Sequence, residues 1–293
     1  MRCLRPLRLA NGLTVNCGSC RACRVNRSTS WTLRLLYELE EWQQAAFITL
    51  TYKDETLPED YGLSKRDLQL FIKRLRERFG YIGTKIKYFA VGEYGNDNRS
   101  MPIGFEHGRP HYHLIVFGID ADSDEHKRII YDCWRRCDSY LILTGRGVER
   151  VSRATISYVT GYVQKKLNGD YAKETYEDRQ PPFMICSKKL GLSSFERKKD
   201  RLFKNGFTYY GPHKIGIPRY FRQKFNHHLE FEDKGLAMNF LVNKFMKENK
   251  NLPDSVVDRK RLFEDWLLKK QYDYAAQVEK DFKQLQKIRG GKL

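Results

Sequence analysis

Acidic residues are in short supply in this 293-residue chain: 36 Asp and Glu stand against 54 Lys and Arg, for a formal charge of +18. Such a surplus argues against polycationic partners and in favour of polyanions. Long apolar runs are missing as well. No stretch approaches the roughly 18 apolar residues of a membrane-spanning helix, and the N-terminus carries no signal-peptide core. The expectation is therefore a soluble, cytoplasmic protein with no membrane partner. There is no Gly-x-x-x-x-Gly-Lys-[Ser/Thr] stretch, which argues against a built-in helicase motor. Cysteine is limited to seven, an odd number, with four before position 24 and Cys133, Cys137 and Cys186 scattered. That distribution argues against a secreted disulfide framework and for a reducing compartment.

What is present points the other way. Aromatic residues make up 13% of the chain, so the preferred partner is a polyanion that also offers faces for stacking, which describes nucleic acid. A basic membrane-surface protein is the competing reading of the charge. The length suits one substantial domain with an appendage, or two small domains.

The most informative stretch is Gly108-Arg109-Pro110-His111-Tyr112-His113-Leu114-Ile115-Val116-Phe117-Gly118. Its continuously apolar end reads as a central strand covered on both faces, with Pro110 at the entrance, where a missing N–H does least harm. On a strand, residues two apart leave the same face, so His111 and His113 aim at one point as metal ligands or bases. Two solvated histidines at a strand edge are the plainer alternative. Before this strand, Ser64 caps a helix whose stripe is Leu68, Phe71, Ile72, Leu75 and Phe79, and a strand over about Lys85–Val91 leads into Gly92-Glu93-Tyr94-Gly95. Glu93, at that strand's end, can reach the histidine pair and complete a three-ligand divalent-cation site with open positions. Its alternative is an exposed turn carboxylate.

The remaining elements follow from local pattern. A helix opened by Ser30 or an earlier polar residue carries Trp31, Leu35, Leu36, Leu39 and Trp42. A first core strand runs Ala45–Tyr52, and another helix spans Asp122–Cys137. Farther along, Ile156, Val159, Val163 and Leu167 define a buried helix face, with Tyr158 and Tyr162 together on a different face and Lys165 and Lys166 within a turn of Tyr162. Two phenols beside ammonium groups can supply a tyrosinate that attacks a phosphodiester; stacking or ordinary packing is the alternative. Near the N-terminus, Cys17-x-x-Cys20-x-x-Cys23, with Cys3 upstream, has the close thiolate spacing of a structural zinc site, while an iron–sulfur cluster and reduced free thiols stay open. Gly206–Lys214 mixes aromatic and basic residues, including Tyr209, Tyr210 and Lys214, on what is expected to be a loop suited to single-stranded DNA, or packed by its own aromatics. Beyond about 218, Phe221, Phe225, Leu229, Phe240, Leu241 and Phe245 predict helices, ending in a charged amphipathic tail.

Taken in order, Thr49-Leu50-Thr51-Tyr52, Arg109-Pro110-His111-Tyr112-His113 and Tyr158-x-x-x-Tyr162-x-x-Lys165-Lys166 resemble the three motifs of HUH endonucleases that initiate rolling-circle replication. With the cysteine array and Gly92-Glu93-Tyr94-Gly95, the chain is similar to the replication initiators of microviruses, particularly the gokushovirus branch, over roughly residues 17–220. The resemblance implies an α+β fold, a central antiparallel sheet flanked by helices, with a helical C-terminal appendage. It divides the chain into a cysteine-rich knuckle (1–30), a nickase core (31–170), a basic and aromatic DNA-binding extension (171–230) and a helical tail (231–293).

It also implies Mg²⁺ or Mn²⁺ on His111, His113 and Glu93, nucleophilic Tyr158 and Tyr162, and Lys165 or Lys166 as supporting cation. Arg109, Tyr209, Tyr210 and Lys214 would contact single-stranded and replicative-form DNA, with a host helicase and polymerase as partners in the bacterial cytoplasm. The rivals are a plasmid or transposon relaxase of the same chemistry, a hydrolytic nuclease, and a non-catalytic zinc-containing DNA-binding protein.

Overall fold

The computed structural model describes residues 3–12, 14–95, 108–164, 175–176, 178–210, 213–226, 241–249 and 251–290. The chain divides into two compact units: Arg27–Gly191 with Phe282–Leu293, and Met1–Asn26 with Leu192–Asp281.

The larger unit is built on a five-stranded antiparallel sheet. Its strands are β3 (Ala45–Leu50), β4 (Lys87–Tyr94), β5 (Pro110–Phe117), β6 (Val148–Arg150) and β7 (Phe183–Cys186), in the order β6-β3-β5-β4-β7. The apolar run of β5 therefore sits at the centre, as its composition requires. β4 starts two residues later than expected and runs three residues farther, so Glu93 belongs to the ladder, paired directly with His111.

Helix α2 (Lys65–Tyr81) starts where Ser64 accepts the Asp67 backbone N–H at 3.1 Å, and it buries the expected stripe Leu68, Phe71, Ile72, Leu75 and Phe79. It packs on the same sheet face as Leu114 and Val116, joined by α3 (Asp124–Cys133) through Ile130. The expected 122–137 helix is shorter than that, because Trp134 leaves helical geometry to donate its indole N–H to the Thr51 carbonyl at 2.8 Å.

Leu35 of α1 (Arg21–Leu39) and Ile156 and Val159 of α5 (Arg153–Gly161) cover the opposite face, against Phe47, Phe89, Ile115 and Phe117. Helix α1 begins nine residues before Ser30, since Arg21–Leu39 contains no Gly or Pro to delay it. A hydroxyl–hydroxyl bond of 2.7 Å between Thr32 and Thr160 ties α1 to α5. Buried Glu38 accepts from Trp42 Nε1 at 2.8 Å, Lys87 Nζ at 2.8 Å and the Gly191 backbone N–H at 2.7 Å, which clamps α1 to β4 and to the chain after β7.

The second unit holds two small antiparallel ladders, β1 (Leu7–Arg8) with β2 (Thr14–Val15) and β8 (Phe207–Tyr210) with β9 (His213–Gly216). Its helices are Leu192–Asn205, Arg219–Lys224, residues 241–248 and the greater part of Val256–Gly290. An aromatic stack of Phe195 on Phe221, with ring centroids 4.0 Å apart, forms its centre. Leu229 and Phe240 lie outside the described residues. Among the described residues, no helix is long and apolar enough to cross a membrane.

Candidate active site

Strand alternation puts His111 and His113 on the α1/α5 face of the sheet, and the antiparallel register puts Glu93 beside them. Glu93 Oε1 lies 3.0 Å from His111 Nε2 and 3.5 Å from His113 Nε2. Glu93 is 4% exposed and His113 1%, so the carboxylate is a buried ligand-like group and not a turn residue in water.

Both imidazoles are held from behind. His111 Nδ1 faces the Arg109 carbonyl at 3.1 Å; a carbonyl only accepts, which assigns the ring proton to Nδ1. Nε2 then presents a lone pair to a carboxylate, an arrangement that calls for a second proton or a shared cation. His113 Nδ1 bonds Thr49 Oγ1 at 3.1 Å, and its ring stacks on Phe47 and on Tyr162 with centroids 5.6 and 5.1 Å apart. This backing of each Nδ1 is how proteins orient metal-binding histidines.

The tyrosines converge on the same point. The Tyr158 hydroxyl is 3.5 Å from His113 Nε2, and the Tyr162 hydroxyl donates to it across 2.5 Å. Periodicity sets the two tyrosines apart from the buried face of their helix, yet both rings are buried, at 3% and 6% exposure. Helix α5 is covered on more than one side: Thr155, Ile156, Tyr158, Val159, Thr160 and Gly161 are all buried. After Gly161 the chain tightens into a 3₁₀ turn, Tyr162–Gln164. Lys165, Lys166 and Leu167 lie outside the described residues. Beside Tyr162 a cavity of about 200 Å³ opens between Arg27, Trp31, Gly92, Phe183 and Met184.

The family model for the ORF2 type of replication-associated protein matches residues 45–167. Replication-associated protein VP4 of Bdellovibrio phage phiMH2K is 30% identical over 228 residues, covering 72% of this chain and 68% of that protein. This chain belongs to the phage replication-associated proteins. Its relatives include ORF2 of Spiroplasma virus 4, 29% identical over 72% of this chain and 67% of that protein. ORF4 of Chlamydia phage 1 is 31% identical over 70% of this chain, a match that spans about half of its own length, 52%. No solved structure matches the chain.

The span matched by the replication-associated family contains Glu93, His111, His113, Tyr158 and Tyr162, whereas the cysteine array precedes it. Tyr112, the middle residue of the histidine motif, points to the other face, where its hydroxyl donates to the Ser64 carbonyl at 3.0 Å and meets Tyr52 Oη at 2.9 Å. It fastens the start of α2 to the sheet. Arg109 is turned toward Asp54, with which it pairs, and donates to the Tyr52 carbonyl at 3.0 Å. Thr49, Phe47 and Trp31 are site-lining residues that motif reading does not assign a role; the alternation that marks Phe47 and Thr49 as same-face neighbours is visible in the strand.

Tyr209, Tyr210 and Lys214 sit on the β8–β9 hairpin, not on the loop expected for Gly206–Lys214, with Tyr209 opposite Lys214. Two β-prone tetrads separated by Gly211-Pro212 are the readable hairpin signal. Tyr209 is 57% exposed, and Lys214 Nζ lies 4.5 Å from the centroid of the Phe207 ring. The four sulfurs of Cys3, Cys17, Cys20 and Cys23 lie within 4.8 Å of one another. The Cys20 N–H directed at Cys17 is the chief cause of a thiol lowered to about 6, while burial pushes Cys23 up to about 12.

Proposed function

We propose that this protein is a replication initiator that nicks single-stranded DNA by tyrosine attack and later rejoins the strand. The observation that carries the reading is the convergence of Glu93, His111, His113 and both tyrosine hydroxyls on one buried point of one sheet face.

Two imidazole nitrogens and a carboxylate oxygen form a mixed donor set that suits Mn²⁺, with Mg²⁺ the harder alternative. Bound by Glu93, His111 and His113, such a cation would polarise the scissile phosphate. The protein's own groups do the rest. Tyr158 lies between His113 and the Tyr162 hydroxyl, whose donated hydrogen bond stabilises negative charge on the Tyr158 oxygen. That oxygen attacks phosphorus, the bond from phosphorus to O3′ breaks, and O3′ leaves as a hydroxyl after taking up a proton. The 5′ end remains as a phosphotyrosine, and the free 3′-OH primes extension by a host polymerase.

After one circuit, the second tyrosine attacks the regenerated junction and the released 3′-OH displaces the first tyrosine to close the circle. Because the ester exchange conserves bond free energy, rejoining needs no further energy source. Lys165 or Lys166 supplies the supporting cation. Arg27 and Trp31 in the neighbouring cavity offer a phosphate partner and a stacking face, and Arg109, Tyr209, Tyr210 and Lys214 extend the contact with DNA. Strand separation falls to a host helicase, in the host cytoplasm.

The test is incubation with circular single-stranded DNA carrying the cognate origin and Mn²⁺, followed by denaturing electrophoresis and peptide mass spectrometry. The expected product is an adduct on Tyr158 or Tyr162. Cleavage with free 5′-phosphate ends would make the protein a hydrolase, and binding without cleavage would make it a DNA-binding protein only.

A further inference from the structure

The cysteine array stands apart from the reading above and outside the matched family span. Its spacing alone leaves zinc, an iron–sulfur cluster and free thiols open. The geometry is more selective. Cys3 Sγ is 3.5 Å from Cys17 Sγ and 3.9 Å from Cys20 Sγ, and all four sulfurs lie within 4.8 Å of one another. A disulfide would need about 2.05 Å, so these are free thiols gathered around a common centre. A tetrahedral ion with metal–sulfur bonds of about 2.3 Å sets its sulfurs about 3.8 Å apart, which is the separation seen. A multi-iron cluster carries several irons and bridging sulfides between its cysteines, and sulfurs this close leave no room for them.

The backbone is arranged for thiolates. The Cys17 N–H points at Cys3 Sγ and the Cys20 N–H at Cys17 Sγ, both at 3.3 Å, and the Leu4 N–H points at Cys20 Sγ at 3.5 Å. Gly18, at φ +75°, makes the left-handed turn that folds Cys17 back over Cys20. Cys23 lies in the first turn of α1, where the helix dipole favours negative charge.

The segment also lacks any other means of holding itself. Between Cys3 and Cys17, β1 and β2 share only two residue pairs, and Leu7, Leu9 and Val15 are exposed at 53%, 43% and 37%. So short a ladder without a buried apolar face is not stable alone. What is buried here is the cysteines themselves, with Ala22 beside them.

We propose that Cys3, Cys17, Cys20 and Cys23 bind one zinc ion as a closed tetrathiolate site, and that this ion staples the N-terminal hairpin to the start of α1. With four protein ligands no position is left for substrate, so the role is structural.

The purified full-length protein, dialysed against Mg²⁺ buffer, is expected to retain one equivalent of zinc by elemental mass spectrometry. That zinc should persist in the His111→Ala, His113→Ala double variant and vanish in Cys17→Ser, Cys20→Ser. Replacement with Co²⁺ should give thiolate-to-metal charge-transfer bands. If the cysteine variant does not fold, the wild type still decides: titration with a mercurial should release the zinc as four thiols are consumed. Hydrogen exchange in residues 3–20 should rise on chelation. Iron at the site, zinc lost with the histidines, or a metal-free protein with an unchanged N-terminal exchange pattern would each overturn the assignment.

Discussion

Glu93 and His111 face each other across adjacent antiparallel strands, with Oε1 3.0 Å from Nε2, so the carboxylate–imidazole pair is set by sheet register and not by a mobile loop. His111 follows from the same register that sets His113 two residues on, and the three groups move only if the sheet does.

The tyrosines are expected to share the nucleophile role. Tyr158→Phe combined with Tyr162→Phe should abolish covalent attachment to origin DNA, with each single change leaving a fraction of it. Undiminished attachment in the double variant, read on a denaturing gel, would move the nucleophile elsewhere.

His111→Ala should remove metal-dependent cleavage while leaving DNA binding and its steep salt dependence intact, since phosphate contacts arise from other residues. Cleavage and filter binding measured on one preparation separate the two. Full cleavage by the variant in excess chelator would contradict the metal role.

Thr49→Val keeps the shape of a buried side chain while deleting the partner of His113 Nδ1. Metal affinity should fall about 10- to 100-fold, with about 1 kcal/mol of stability lost. Calorimetric titration with Mn²⁺ checks this; an unchanged affinity would mean that stacking by Phe47 and Tyr162 alone orients the ring.

Gly191→Ala tests the clamp behind the site. At φ +73° an added Cβ would lie 2.3 Å from the Arg34 carbonyl oxygen, and the same residue's N–H serves Glu38. A loss of about 2–4 kcal/mol is expected from the strained backbone and the clash, seen as a lower urea midpoint. Wild-type stability would show that the loop relaxes freely.

Stability should also fall in alkali. Burial pushes the Tyr94 phenol up to about 12, and burial also raises Tyr52 and Tyr112 above the usual range. A folded-state pKa above the unfolded value near 10 means the neutral phenol is favoured by folding. That contribution is complete below about pH 10 and is lost as pH rises through about 12. Urea midpoints across this window should decline for the wild type and decline less for Tyr94→Phe.

Much of the fold and site is legible in the chain. The stripe Leu68 to Phe79, the central run Leu114–Phe117 and the shared direction of His111 and His113 follow from period alone. Glu93 can be named because it ends a strand facing them. The burial of Tyr158 and Tyr162 is not legible, since periodicity identifies one buried face and cannot register that α5 is enclosed by Phe47, His113 and its own neighbours. The β8–β9 hairpin reads as a loop because aromatic and basic composition outweighs its short alternation. Glu38 is beyond reach: its three partners come from positions 42, 87 and 191, and such long-range closure leaves no local trace.

The mouth of the β4–β5 connection sets a rule of parity. Gly108 N–H bonds the Gly95 carbonyl and Gly95 N–H bonds the Arg109 carbonyl, each at 3.0 Å, so the strands are zipped to the point where the chain departs and returns. Residues added or removed between Gly95 and Gly108 leave the odd-numbered side chains of β5 pointing at Glu93. One residue inserted between His111 and His113 would send the second imidazole to the α2 face. Length is thus free to drift on one side of Gly108 and is counted in steps of two on the other, which makes the 96–107 segment the natural port for an inserted tag or tether.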